Sequence, residues 1–326
     1  MANRGTLAGA TEAKTMNWDS GNVQHMADTL QRQVDADISV RHPLKGLNSW
    51  KVGGCSDLLV RPRCLAAAQQ LLAFLTAHKW PWVVLGSGTN VLIPDAGYLG
   101  VVVQLSQLKE IKMLAPGHYH VESGVSLREL VRMCAEHGNS GIEDLAAIPG
   151  SVGGAVVMNA GAGEHTFGAV VTGVHAVLHG QSMYRAGAEL KFGYRSSAVG
   201  AEMCILAVEI QLHASDQDAC VARCKRALEY RKKVQQVCLP SAGSVFRNPP
   251  GICAWKIIDS CALRGFKVGG AQVSPQHANF IVNTGNATAA DVAELIAHVQ
   301  REVFSKTGVV LETEIRFLNL RQDQRS

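Results

Sequence analysis

The sequence predicts an α+β protein of about two domains. Three observations carry the prediction: 326 residues with 47% hydrophobic and only 18% charged side chains supply sizeable cores, some segments repeat apolar residues at helical spacing, and others alternate at period two.

A loose tail up to residue 22 is expected to be poorly ordered. The segment "LAAAQQLLAFLTAH" has helical spacing and leads into the buried strand "WVVL" and the tight loop "GSGTN". "HYHVESG" alternates as a strand. Ser126 then opens "SLRELVRMCAEHG", where Glu129 predicts a capping box, Leu127, Leu130, Val131 and Cys134 form one face, and Gly138 ends the helix. Strands "VVTGVHAVL" and "CILAVEIQL" flank the polar "KFGYRSSAVG", and "DACVARCKRALEYRKK" reads as a helix leading into another domain, with the boundary near residue 224. Beyond it, Val292, Leu295, Ile296, Val299 and Val303 make a helical stripe that Gly308 closes. The last element, "GVVLETEIRFL", is expected as a strand with Val309, Leu311, Thr313, Ile315 and Phe317 on one face and Glu312, Glu314 and Arg316 on the other.

A formal charge of +4 does not call for nucleic acid. Positive charge concentrates at Arg223, Lys225, Arg226, Arg231, Lys232 and Lys233, which suits an anionic small molecule. No apolar run has the length of a membrane span or a signal-peptide core, which predicts a cytoplasmic protein with no membrane insertion. No coiled-coil or long assembly helix stands out, so a monomer is expected. Nine cysteines without a C-x-x-C pair argue against a disulfide framework and a thiolate zinc site. Cys220 and Cys224 are expected as packed small residues. His118 and His120 share a strand face but lack a third ligand of compelling spacing, so no metal is expected.

The candidate chemistry sits in glycine-rich loops and one serine turn. In "LPSAGSVFRNPPG", Ser244 has Ala242 and Phe246 where a nucleophile elbow needs glycines, which excludes that hydrolase motif. Three loops, "WKVGG", "LGSGTN" and "IPGSVGGAVVMNAGAG", let backbone N–H groups approach a large cofactor. The dinucleotide fingerprint does not fit, because Val91 stands where its third glycine belongs and Pro94 prevents a helix from opening there. No Walker lysine follows either. Taken alone, Ser244 reads as a turn serine bonding its own backbone, Arg195 as a surface ion pair and Glu314 as an edge-strand charge.

The ordered segments "SWKVGG", "VLGSGTNVLI", "GIEDLAAIPGSVGGAVVMNAGA", "FGYRSS", "PSAGSVFRNP", "GGAQVSPQHANFIVN" and "LETEIRF" resemble the UDP-N-acetylenolpyruvoylglucosamine reductase (MurB) family over residues 42–318. The resemblance implies a p-cresol-methylhydroxylase-type FAD-binding fold of two lobes, 23–100 and 101–223, with a smaller α+β substrate-binding domain, 224–326. It implies a UDP-sugar substrate, non-covalent FAD, and NADPH as reductant. The family reduces an enolpyruvyl ether in peptidoglycan precursor synthesis, with hydride passing to the terminal carbon and a proton to its neighbour. By resemblance, Ser244 donates that proton, while Arg195 and Glu314 stabilise the enolate-like intermediate.

The same resemblance assigns the cofactor to Val52, Gly53 and Gly54, to Gly86, Ser87, Gly88, Thr89 and Asn90, and to Ile148, Pro149, Gly150, Ser151, Gly153, Gly154, Asn159 and Ala160. Tyr194, Lys233, Asn248 and His277 fall at substrate-binding positions. Only "HASDQD" separates strand 204–212 from the helix beginning near Ala219, which places the chain in the short-loop (type II) subtype without a tyrosine-bearing lid. One departure is Gln236, where relatives carry proline. The alternatives are another FAD oxidoreductase of the same fold, which would reoxidise rapidly with oxygen regardless of a UDP-sugar, and a non-catalytic UDP-sugar-binding homologue.

Overall fold

The structure, a computed structural model, describes residues 18–200 and 202–318. Positions 1–17 of the expected tail lie outside the described residues. The rest of that tail is tied down: the Trp18 ring stands edge-on to Trp80, with centroids 5.2 Å apart, and Asp19 caps the turn Ser20–Asn22.

The first lobe is a four-stranded sheet in the order Ala36–Pro43, Cys55–Pro62, Tyr98–Val103, Trp82–Val84. The edge strand Ala36–Pro43 pairs antiparallel, and the other two pairings are parallel. Parallel neighbours need a crossover, and the helix Leu65–Ala77 supplies it between Cys55–Pro62 and Trp82–Val84. With the helix Val23–Gln33 it buries Leu30, Leu58, Val60, Leu71, Val101 and Val103 on one face. Leu59, Tyr98 and Val102 pack the other. The strand Tyr98–Val103 runs through the lobe boundary expected at residue 100; its run of valines is buried on both faces, as suits an inner strand.

The second lobe is a five-stranded antiparallel sheet, in the order Gln181–Ala186, Val171–Leu178, Met203–Gln211, His118–Glu122, Ile111–Ala115. Helices Leu127–Glu136, Val152–Val157 and Gln217–Val234 contribute to the core formed with this sheet. Leu127, Leu130, Val131 and Cys134 are buried there, but the expected capping bond is absent: the Ser126 side chain accepts none, while its bridge partner Ser151 caps the helix Val152–Val157 through Gly154 N–H. Helix Gln217–Val234 passes position 224 without a break, and both Cys220 and Cys224 are buried in this lobe. The boundary expected near residue 224 thus falls inside one continuous helix, and the chain leaves this lobe only after Val234.

The third unit packs the small sheet Lys267–Val268, Ala271–Val273, Ile281–Asn283 under helices Ala254–Ser260 and Ala289–Thr307. Val292, Leu295, Ile296, Val299 and Val303 are all buried, and Gly308 closes the helix at φ 72°. This unit is fastened to the first lobe. Trp50 donates its indole N–H to the Ile281 carbonyl at 2.7 Å, Asn283 donates to Trp50, and Asp95 accepts from the N–H groups of Ala289 and Ala290 at 2.8 and 2.9 Å. The segment expected as one long strand is regular only at Arg316–Phe317, which pairs in parallel with Val91–Leu92. Before that, only Thr313 bridges to Phe246, and alternation breaks at the end, where Phe317 is exposed and Leu318 buried.

Candidate active site

A cleft of about 2050 Å³ is lined by all three units. It exceeds the roughly 300–1,000 Å³ of a pocket for one drug-sized ligand, so it has room for a dinucleotide and a second nucleotide together. Gly86, Ser87, Gly88, Thr89 and Asn90 line it from the first lobe, and Ile148, Pro149, Gly150, Ser151, Gly153, Gly154 and Ala160 from the second. The two loops meet where the Thr89 hydroxyl donates to the Pro149 carbonyl at 3.4 Å. At Gly86 an added Cβ would stand 3.0 Å from Ser151 Oγ, so this shared wall stays open only because it is backbone. Such a cradle of main chain from two loops fits FAD.

The other expected cofactor residues do something else. Val52, Gly53 and Gly54 are not on the cleft; a Cβ at Gly54 would lie 2.3 Å from the Asp95 carbonyl oxygen, so the glycines let this loop close on the 93–97 turn. Ser49 and Lys51, just before them, line the cleft instead. Asn159 is 4% exposed and also off the cleft. Its amide donates to the Gly193 carbonyl at 2.9 Å and accepts from Gly168 N–H, which fixes the turn that carries Arg195.

Arg195, Ser244 and Glu314 all line the cleft. Arg195 sits at φ 52°, a conformation costly for a residue with a Cβ, held by the Gly193–Ser196 bridge and by Asn159. Its Nε lies 3.1 Å from Glu314 Oε1. Burial pushes the Glu314 carboxyl above its ordinary pKa, and the opposing charges of Arg195 and Arg247 do not cancel this. Ser244 follows Gly243, at φ 78°, and bridges to Phe280. The next residue, Val245, accepts from the Glu314 N–H at 2.8 Å, which sets the serine and the carboxylate on adjoining extended segments. Buried Asn279 reinforces this frame, accepting from Phe246 N–H and donating to the Phe246 carbonyl. Among the described residues the Ser244 hydroxyl has no hydrogen-bond partner, so it does not bond its own turn.

Of the expected substrate residues, Asn248 and His277 line the cleft, whereas Tyr194 and Lys233 do not. Tyr194 lies beside it, its hydroxyl 3.4 Å from the Asn248 N–H and its ring 5.3 Å from the Arg195 guanidinium carbon. The Asn248 side-chain oxygen is taken by Ala254 N–H, which leaves its amide N–H groups available. Burial, aided by the charge of Arg264, holds the His277 imidazole below its ordinary pKa. Lys233 is exposed on the helix Gln217–Val234.

The sequence placed Arg226 and Arg231 in a basic cluster suited to an anionic small molecule and Arg316 on the face of Glu314, without naming them as site residues; all three line the cleft. Neither Arg231 nor Arg316 has an ion-pair partner among the described residues, and burial pushes both below their ordinary pKa, aided by Arg128 and Arg247 respectively. An anion placed beside either would relieve that cost. Arg226, Tyr230 and Arg231 line the cleft at helical spacing, a signal the basic cluster contained but its charge count did not. The connection after strand Met203–Gln211 is pinned away from the cleft: His213–Ala214 pairs with Asn139–Ser140, and Ser215 N–H donates to Gly138 at 2.7 Å.

Residues 233–318 match the family described as UDP-N-acetylenolpyruvoylglucosamine reductase, C-terminal domain, and residues 56–186 match the FAD binding domain family. A protein of Syntrophotalea carbinolica named UDP-N-acetylenolpyruvoylglucosamine reductase is 42% identical over 296 residues, 89% of this chain and 97% of that one. Its namesake in Trichlorobacter lovleyi is 40% identical over 297 residues, 91% and 97% of the two chains. The crystal structure of UDP-N-acetylenolpyruvylglucosamine reductase from Thermus caldophilus superposes with a TM-score of 0.75 at 32% identity, covering 87% of this chain and 99% of that one.

Proposed function

The chain belongs to the UDP-N-acetylenolpyruvoylglucosamine reductase family, and from that premise we propose that Ser244 donates the proton in its reaction while Arg195 and Glu314 stabilise the intermediate. The protein is an FAD-dependent oxidoreductase of peptidoglycan precursor synthesis with the two-lobed FAD-binding fold and a smaller third domain; it reduces the enolpyruvyl ether of UDP-N-acetylenolpyruvoylglucosamine to UDP-N-acetylmuramate. NADPH is the family's reductant.

Held by the main chain of the 86–90 and 148–154 loops, FAD would supply hydride chemistry for the terminal carbon of the enolpyruvyl group. The neighbouring carbon then needs a proton. The observation that carries the assignment is the Ser244 hydroxyl, on the cleft, next to the residue that pairs with Glu314, and unengaged by protein. A serine is a weak acid, so it serves only where the acceptor carbon is strongly basic and water is kept out. Arg195 opposes the negative charge that develops on the substrate carboxylate. Burial raises the Glu314 pKa against the pull of Arg195 and Arg247, which favours its protonated form, the form that can donate a hydrogen bond to the same oxygen.

Arg226, Arg231 and Arg316 supply the charge that the UDP diphosphate requires, and the amide of Asn248 and the ring of His277 complete the polar wall. Tyr194 and Lys233 remain candidates for substrate contact on closure, in place of a lid from residues 213–219. No helix among the described residues is long and apolar enough to cross a membrane. A monomeric enzyme of the cytoplasm, where UDP-sugars and NADPH are made, suits this reading.

One cuvette tests it. Purified protein should show the visible spectrum of FAD, bleach with NADPH under anaerobic conditions, and regain colour on addition of UDP-N-acetylenolpyruvoylglucosamine. Absence of flavin, or recovery with oxygen alone at a rate the UDP-sugar does not alter, would overturn it.

A further inference from the structure

The expectation of no metal rested on a missing third ligand for His118 and His120, and the fold of the second lobe supplies it. His120 is the register partner of Glu209 on the neighbouring strand, and His175 stands on the strand beyond, opposite Ala207. Paired residues, and residues two apart, share a face of a sheet. His120, Glu209 and His175 therefore project together from the face opposite the buried Tyr119, Val121, Val174 and Val208.

Their ligand atoms all lie within 4.8 Å of one another. Glu209 sits in the middle, with Oε1 2.9 Å from His175 Nε2 and Oε2 3.5 Å from His118 Nε2. The His118 nitrogen is closed off from solvent and makes no hydrogen bond, so a polar atom already points at this carboxylate without a satisfied partner. The His120 and His175 rings stand 5.1 Å apart. None of the four residues lines the cleft.

We propose that His120, His175 and Glu209, backed by His118, bind one divalent transition-metal ion of the zinc class across the outer face of the second lobe. Imidazole nitrogens with one carboxylate select Zn²⁺, Co²⁺ or Ni²⁺ over Mg²⁺ and Ca²⁺, which prefer all-oxygen shells. Two histidines and a glutamate form a three-residue set that leaves a position for water. Tetrahedral bonds of about 2.0–2.1 Å place ligand atoms roughly 3.3 Å apart, so the Glu209–His175 pair at 2.9 Å must open slightly to admit the ion, and the 43% exposed His175 side chain has room to move. Such an ion joins the three central strands of the sheet. Because it binds the folded sheet and not the separated strands, it stabilises the lobe.

The test uses metal-stripped protein with its flavin in place, titrated with Co²⁺ and then Zn²⁺. One equivalent of Co²⁺ should bind with visible d–d bands and no thiolate charge-transfer band, Zn²⁺ should displace it, and the melting temperature should rise with Zn²⁺. Glu209→Gln and His175→Asn should each weaken binding at least about tenfold while flavin content and turnover stay at parental values. His175→Asn, at an exposed side chain, keeps the test valid if the Glu209 variant misfolds. Parental affinity in a folded variant, a thiolate band from Cys55, Cys64 or Cys238, or no binding to the parent would each overturn the site.

Discussion

The Arg195 guanidinium and the Glu314 carboxylate, 3.1 Å apart, join a turn of the second lobe to the last segment of the third unit across the mouth of the cleft. Burial raises the Glu314 pKa more than its two arginine neighbours lower it, so the carboxyl favours its protonated form more than a free glutamate does. If that proton serves the reaction, substrate-dependent reoxidation should fall as pH rises through the raised pKa. Glu314→Gln should lose this limb, with the rate reduced roughly 10²-fold or more and flavin reduction by NADPH nearly unchanged. Rapid-mixing traces of both half-reactions over a pH series measure it. An unchanged profile in the variant would remove Glu314 from the proton inventory.

Ser244→Ala should separate the two half-reactions more sharply. It leaves the φ 78° turn at Gly243 and both glycine loops intact. Flavin bleaching by NADPH should match the parent, while reoxidation by the UDP-enolpyruvyl sugar slows by roughly 10²- to 10⁴-fold, and Ser244→Cys recovers part of the loss. Parental reoxidation in Ser244→Ala would make water or Glu314 the donor.

Glu143, which does not itself line the cleft, gives a pH-dependent stability prediction. Burial alone would raise its pKa, but hydrogen bonds from the Gly141 and Glu143 N–H groups, from Arg223 and from Ser140 outweigh it and hold the carboxyl at about 2. A depressed folded-state pKa means the contribution is complete above the unfolded value near 4.5 and is lost as pH falls through about 2. Glu143→Gln should therefore cost about 3 kcal/mol at neutral pH and progressively less in acid. Denaturant melts at pH 7 and pH 3 should show the difference shrinking.

The flavin should come off the protein in acid and leave a colourless precipitate. Cys55 and His165 are the side chains near the flavin loops to check, and of the two only His165 lines the cleft, where its Nδ1 lies 2.9 Å from Asp144. His165→Ala should contain as much flavin as the parent. Colour that survives denaturation and proteolysis in the parent but not in this variant would mean a covalent link at His165.

Elements whose signal is local were legible in the sequence. Helix Ala289–Thr307 matches its stripe and its glycine stop, because both depend on spacing within one turn or two. Ser126 shows the limit: its capping bond was a local inference, and the residue sits instead in a long-range bridge to Ser151 with its side chain making no cap. The 308–318 segment failed for the same reason at larger scale, since partners from Phe246 to Leu92 decide where it pairs. At the cleft, the motif order carried Ser244, Arg195 and Glu314 to one place. It could not tell a glycine that admits a ligand from Gly54, which admits the Asp95 carbonyl, or a cofactor contact from Asn159, which orients a turn. Those distinctions depend on what stands opposite.

The short parallel pairing of Arg316–Phe317 with Val91–Leu92 imposes an order of assembly. Asn90 donates its side-chain amide to the Glu314 carbonyl and receives the Arg316 N–H at 3.0 Å, so one wall of the cofactor cleft is closed by residues synthesised more than 200 positions later. The two lobes can collapse around their own cores during synthesis, yet the loop at 86–90 stays half-walled until this segment arrives. Chain length thus acts as a checkpoint on flavin loading: a truncation after residue 311 should yield protein with both lobes protected from proteolysis and no yellow colour.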